Sequence, residues 1–296
     1  MSLALKTVII VAIIFLLLIF IFRLMGYLIM FFNFKRKIVP NASQVDYSFV
    51  KESGLCLMEG FMGKKDDKRK TYLFGKEAKK SDKLVILSKG HGSFSPEYKN
   101  SIIKLVNSGY DVFAFDAKGH GESDGKCPEG YQQWMLDLER AVEDKKNDYS
   151  KVFILAHSIG AFAALTYLTN KDEKIKGVAA AAAINTSLAY AGMVYEKVPC
   201  IFTKQLVIAV NNYEKRRFKK YVGLTAVDGI NSTDIPILIL QGDKDKWVPI
   251  NSCSLVRYKY EIKNDNAKIK VIEGAGHDLL SDESVNETIL NFFDSI

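Results

Sequence analysis

The first part of the chain shows no alternation of apolar and polar positions, because almost every position is apolar. Residues 8–22 form an unbroken apolar run, Arg23 interrupts it, and residues 24–32 continue it. A helix crossing a bilayer needs about 20 mostly apolar residues. The run meets that length with Arg23 near one interface, where its long stem lets the guanidinium reach the headgroups. A core helix would carry a polar face, which is missing here. No small-x-small cleavage site follows the run, as a secretory signal would require. The pattern therefore predicts a membrane anchor over residues 1–34, followed by a polar connector over 35–45 that contains Pro40-Asn41.

Further on the pattern changes to short apolar runs separated by amphipathic stretches. Charged, turn-like segments at 64–70 and 76–83 lie between short strand candidates. From residue 84 the alternation is regular. Compact apolar runs at 84–87, 112–115, 152–156, 237–240 and 268–272 read as buried strands. Stretches at 96–108, 131–146, 159–168 and 284–293 read as helices, the first stopping at Gly109. The alanine-rich run at 178–184 fits either type alone, and its place in the alternation favours a strand. Strands alternating with helices imply a mostly parallel sheet covered on both faces. In such sheets the site lies outside the carboxyl ends of the strands. Residues 187–234 break the rhythm with helical patches, several aromatics and no clear strand. Insertions of that length are usually functional or carry their own structure, and this one is expected to be a cap over the site.

Charge adds a second reason to treat the N-terminus separately. The net charge is +7, yet residues 1–37 hold Lys6, Arg23, Lys35, Arg36 and Lys37 and no acid. The remainder carries 36 basic against 34 acidic residues and is nearly neutral. A nucleic-acid-binding domain would be strongly basic, so no nucleic-acid partner is expected. The excess of Lys35, Arg36 and Lys37 over Lys6 and the terminal amine predicts a single-pass protein of the cell membrane with its C-terminal domain in the cytoplasm. Cys56, Cys127, Cys200 and Cys253 show no metal-binding spacing and read as packing residues.

The chemistry lies just past the strands. Ala156-His157-Ser158-Ile159-Gly160 joins a strand to a helix, the context of a nucleophile elbow, with alanine at the first small position in place of glycine. Such a turn lifts the serine hydroxyl clear and aims the free N–H groups of the helix at the reacting oxygen. A base is offered by His277 in Glu273-Gly274-Ala275-Gly276-His277, after the last strand. An acid to hold the imidazole is offered by Asp243 or Asp245, in the loop after the 237–240 strand. The order Ser, Asp, His fits this architecture.

These motifs resemble the α/β-hydrolase superfamily, in its monoacylglycerol lipase and serine aminopeptidase-like branch, over roughly residues 84–296 apart from the cap. The resemblance implies an α/β-hydrolase fold over 46–296, with a small helical cap and one preceding transmembrane helix. It implies Asp245, the second aspartate of Gly242-Asp243-Lys244-Asp245-Lys246-Trp247-Val248-Pro249, as the acid, leaving Asp243 a turn residue. Gly90-His91-Gly92-Ser93 resembles the family's oxyanion loop, so the backbone N–H groups of Ser93 and Ile159 are expected as the oxyanion donors. Asp116-Ala117-Lys118-Gly119-His120-Gly121-Glu122-Ser123 resembles a structural loop of the family.

All four histidines fall in these motifs, leaving none for a metal centre, and no cofactor is expected. His91, His120 and His157 read as loop-ordering residues. The expected activity is hydrolysis of a carboxylic ester, such as a monoacylglycerol or lysophospholipid, through an acyl-enzyme. Amide hydrolysis or acyl transfer by the same residues, and a non-catalytic hydrolase-like binding domain at the membrane, are the alternatives. The cap aromatics Tyr190, Met193, Tyr195, Phe202, Tyr213, Phe218 and Tyr221 suit either an acyl chain or simple packing of the cap. The basic run Lys215-Arg216-Arg217 with Lys219-Lys220 suits either anionic headgroups or a solvated face. The sequence leaves the oligomeric state open.

Overall fold

A computed structural model describes residues 2–76 and 81–296. The expected turn at 76–83 lies partly outside the described residues. The apolar N-terminal run forms one continuous helix, α1 (Leu3–Asn33), which is long and apolar enough to cross a membrane. A short helix, α2 (Ser48–Glu52), leads into a hairpin of β1 (Cys56–Lys64) and β2 (Asp67–Gly75). The alternation then runs β3 (Lys83–Ser88), α3 (Lys99–Asn107), β4 (Asp111–Phe115), α4 (Gln133–Lys145), β5 (Lys151–His157), α5 (Ile159–Tyr167) and β6 (Ile175–Ala181). It continues with α6 (Ser187–Val194), α7 (Cys200–Phe218), α8 (Ala226–Asn231), β7 (Ile237–Gly242), β8 (Ala267–Ile272) and α9 (Glu283–Asp294).

The eight strands form one sheet in the order β1-β2-β4-β3-β5-β6-β7-β8. β2 is antiparallel to both β1 and β4, and the remaining pairs are parallel. The central strands β3, β4 and β5 are buried along almost their whole length, which is why they read as unbroken apolar runs. β6 is a strand built largely of alanine, as the alternation favoured.

The turn expected over 64–70 is shorter than its charge suggested. Only residues 65–66 turn, and Asp67 to Lys70 already belong to β2, with Lys64 paired to Asp67. Charged residues enter the strand because their partners are waiting across the fold. The fully buried Arg69 donates from Nε to Asp137 on α4 at 2.7 Å, and Lys70 pairs with Glu59 of β1 at 2.6 Å. Arg69 also pairs with Asp67 at 2.9 Å, whereas removing Arg69 would leave the buried Asp137 carboxylate without its cation, a loss of roughly 3–5 kcal/mol.

The 187–234 stretch holds no sheet strand, and its helices divide by partner. α6 and α7 pack on each other and line a cavity shared with the loops after β3, β5 and β7, whereas α8 packs on α5. At Gly229 of α8 a Cβ would come within 1.8 Å of the Leu165 carbonyl oxygen, so only glycine allows this approach. The final third of α1 does not stand free. It runs alongside α7 in the same direction, with Phe22 stacked on Phe202 (ring centroids 4.2 Å apart) and Tyr27 edge-on to Tyr213 (5.8 Å). Arg23, expected at a bilayer interface, donates to Gln205 of α7 at 2.7 Å.

Candidate active site

Ser158 ends the turn between β5 and α5 with φ 57° and ψ −123°, a strained conformation for a residue with a side chain. Its N–H donates to the Ala181 carbonyl at 2.9 Å, which fixes the turn to the neighbouring strand. Gly160 makes the turn possible: a Cβ there would lie 2.2 Å from the Ser88 oxygen and 2.6 Å from that of Lys89. At the first small position, Ala156 is fully buried and is accommodated without a glycine.

Two loops bring the other residues to Ser158. Gly242, at the end of β7, allows the acid loop to lie against the histidine loop, since a Cβ there would meet the Ala275 and Gly276 oxygens at 2.3 and 2.4 Å. The His277 Nδ1 lies 2.8 Å from Asp245 Oδ2, and its Nε2 lies 3.1 Å from Ser158 Oγ. A carboxylate only accepts, so Nδ1 carries the proton and Nε2 presents its lone pair to the serine hydroxyl. Asp245 is fully used as an acceptor: Oδ1 takes the Trp247 and Val248 N–H groups, and Oδ2 takes the Gln241 side-chain amide besides His277. Burial pulls its pKa upward, but the bonds from His277 and the Val248 N–H outweigh that and hold it below the usual carboxylate range. Asp243 faces elsewhere, accepting the Gly274 N–H at 2.7 Å and pairing with Lys244.

The structure therefore brings Ser158, His277 and Asp245 into one hydrogen-bonded chain and sets Asp243 aside. Gln241, which the sequence reading passed over, positions Asp245. Its own carbonyl accepts from Ser254 Oγ at 2.8 Å. A polar residue in the last positions of an apolar strand was the signal available.

His120 and His157 tie loops together, whereas His91 lines the cavity and makes ring contacts with Phe34, His120 and Trp134. His120 Nε2 accepts the Gly92 N–H at 3.2 Å, so its Nδ1 donates to the Lys118 carbonyl. His157 Nε2 donates to the His277 carbonyl at 3.0 Å, and its Nδ1 accepts from the Tyr98 hydroxyl, which in turn accepts the Gly90 N–H. This buried relay joins the 90–93 loop, the elbow and the His277 loop. Burial lowers both histidines to about 4, which keeps them neutral. Within the 116–123 loop, Asp116 pairs with the buried Lys89 at 2.6 Å, and Ser123 Oγ donates to the Asp116 carbonyl.

The 90–93 loop borders the same cavity as Ser158. The Ser93 N–H is directed at the Gly90 carbonyl at 3.4 Å. The His91 N–H donates to no described residue. Gly160 abuts the backbone of Ser88 and Lys89, and Gly90, His91 and Ser93 all line the cavity with Ser158 and Ile159. Ile159 is the first residue of α5, where an N–H has no intrahelical acceptor.

Above Ser158 lies a cavity of about 1020 Å³, at the large end for small-molecule sites. Tyr190, Ala191 and Tyr195 of the α6 region, Val210 of α7, and Ile29 and Met30 of α1 form its apolar walls. The cap aromatics divide accordingly. Tyr190 and Tyr195 face the cavity, while Phe202 and Tyr213 pack on α1. The basic run is partly engaged, with Arg217 over the Tyr213 ring and Arg216 over that of Tyr27.

The sheet order, the elbow at its centre and the helices that line the cavity make this chain a hydrolase of the α/β-hydrolase type. Within that class it is similar to the serine aminopeptidase and monoglyceride lipase branch. Residues 79–212 match the family model described as serine aminopeptidase, S33. A monoglyceride lipase homolog of monkeypox virus is 27% identical, covering 66% of this chain and 82% of the viral protein. Protein phosphatase methylesterase 1 of Candida albicans is 28% identical over 126 residues, and the chain spans about a third (34%) of that protein's length. A solved esterase of Pyrococcus furiosus superposes with a TM-score of 0.65 at 21% identity, covering 88% of this chain and 98% of the esterase.

Proposed function

We propose that this protein is a serine hydrolase that cleaves carboxylic esters with an apolar acyl group, of the monoacylglycerol or lysophospholipid kind, through an acyl-enzyme. The observation that carries the reading is the chain Ser158–His277–Asp245 opening into a largely apolar cavity. His277 Nε2 takes the hydroxyl proton as Ser158 Oγ attacks the acyl carbonyl. Asp245 stabilises the imidazolium, and the protonated ring then delivers the proton to the departing alcohol. Water, activated by the same nitrogen, releases the acid and restores the serine. The oxyanion is met by the N–H of Ile159 and, in place of Ser93, that of His91. One such donor contributes about 3–4 kcal/mol to the transition state.

The names of the relatives support an ester substrate, since a monoglyceride lipase homolog and a methylesterase are among them. α1 holds the enzyme at a membrane lipid surface, and Lys35, Arg36 and Lys37 set its hydrolase domain on the cytoplasmic side. A fluorophosphonate probe tests the core of this reading. The parent protein should be labelled and should turn over acyl esters, and Ser158→Ala should do neither. Labelling that survives in Ser158→Ala would refute the assignment.

A further inference from the structure

The anchor helix supplies part of the cavity that receives substrate. Met30 is 2% exposed, Phe34 is 3% exposed, and both line the cavity together with Ile29, opposite Ala191, Tyr195 and Val210. Phe34 is pinned edge-on to Tyr131 at 5.1 Å, and Tyr131 is itself a cavity residue. The placement is specific rather than a loose contact. At Gly26 a Cβ would come within 2.9 Å of Ala209 Cβ and 3.1 Å of the Leu206 backbone, so the close approach of α1 to α7 depends on glycine. The Arg23–Gln205 bond and the Phe22–Phe202 stack hold the same pair of helices one turn nearer the N-terminus. An anchor that only tethered would need none of these.

We propose that Met30, on the inner end of the anchor helix, is a specificity-determining residue that sets how long an acyl chain the cavity accepts. The inference rests on Ser158 being the nucleophile of an acyl-transfer site. It adds that chain length is read by a side chain of the anchor and not by the cap alone. A thioether on an unbranched stem fills an irregular gap and yields to a flexible chain, whereas a rigid indole at the same position would shorten the available space.

The test uses the full-length protein in phosphatidylcholine vesicles and measures the rate at which Ser158 is labelled by fluorophosphonates carrying an ethyl or a dodecyl chain. This readout is independent of whether the natural substrate is an ester or an amide. Met30→Trp should slow the dodecyl reagent by more than about tenfold while changing the ethyl reagent by less than about twofold, the scale on which apolar pockets discriminate chain size. Met30→Ala should leave the dodecyl reagent at least as fast as in the parent. Gly26→Leu, which lines no part of the cavity but separates α1 from α7, should also lower the dodecyl-to-ethyl ratio. A ratio unchanged in all three variants, or an equal slowing of both reagents by Met30→Trp, overturns the role of the anchor while leaving the site reading intact. A parent protein that neither reagent labels overturns the site reading, and this inference with it.

Discussion

Asp243 and Asp245 stand two residues apart on one loop and have the same chemistry but different partners. Asp245 holds the Nδ1 proton of His277, so Asp245→Asn would present an amide that can donate as well as accept and would favour the wrong tautomer. Steady-state turnover of an acyl ester should fall by about 10⁴-fold. Asp243→Asn alters the bond to the Gly274 N–H and the exposed pair with Lys244, neither of which touches His277, and should cost no more than about tenfold. Reversed effects would transfer the role of the acid to Asp243. The Tyr98–His157 relay is subtler, because neither residue touches Ser158 Oγ yet both fix loops that do. Tyr98→Phe removes the acceptor of the Gly90 N–H and the donor to His157. It should lower kcat roughly tenfold with KM unchanged, the signature of a misplaced reacting geometry. The sequence carried Ser158, His277 and both aspartates in legible loops after strands. It could not carry Tyr98 or Gln241, whose roles depend on which loops lie across from them in space.

At the scale of elements, α7 is fastened to the core by Glu214. Its Oε1 accepts the Tyr131 N–H at 3.0 Å, and its Oε2 and the buried Gln132 Oε1 have no partner among the described residues. Burial pushes this carboxyl from 4.5 up to about 7. Between those values the folded chain keeps a proton that the unfolded chain has shed. The associated stability is therefore fully present below about pH 4.5 and is lost as pH rises through about 7. Glu214→Gln keeps the acceptor and adds an amide donor within reach of the same region. It should match the parent at pH 4.5 and exceed it by about 3 kcal/mol at pH 8.5, measured by denaturant unfolding in detergent micelles. A difference independent of pH would show that this carboxyl does not titrate as argued. The elements themselves were legible wherever one residue type dominated a face, as in β3 and β5 with their apolar runs. β2 was not, because Arg69 and Lys70 look like turn residues until Asp137 and Glu59 are known to neutralise them.

For the whole molecule, α1 divides into a part long and apolar enough to cross a membrane and a part packed on the hydrolase domain, and that division decides where the proposed anchor can be cut away. Apolar surface destined for lipid and apolar surface destined for a cap read identically in a sequence, so the run at 8–32 gave no sign that its last third packs on α7. Residues 3–21 span about 28 Å at 1.5 Å per residue, close to the roughly 30 Å of a bilayer's hydrocarbon core. The helix is thus long enough to cross with that part alone and to pass Phe22 to Phe34 into the hydrolase. A chain beginning at residue 22 should then fold with its cavity closed. One beginning at residue 38 removes the burial of Met30 and Phe34, about 1.5–3 kcal/mol for each side chain, and uncovers the α7 face formed by Leu206, Ala209 and Val210. The longer truncation should melt several degrees lower and associate in size-exclusion chromatography through that uncovered face, while the shorter one should keep the parent's fluorophosphonate labelling rate. Equal melting temperatures for the two truncations would mean that the inner end of α1 contributes nothing to the folded domain, and that the anchor ends where its contact with lipid does.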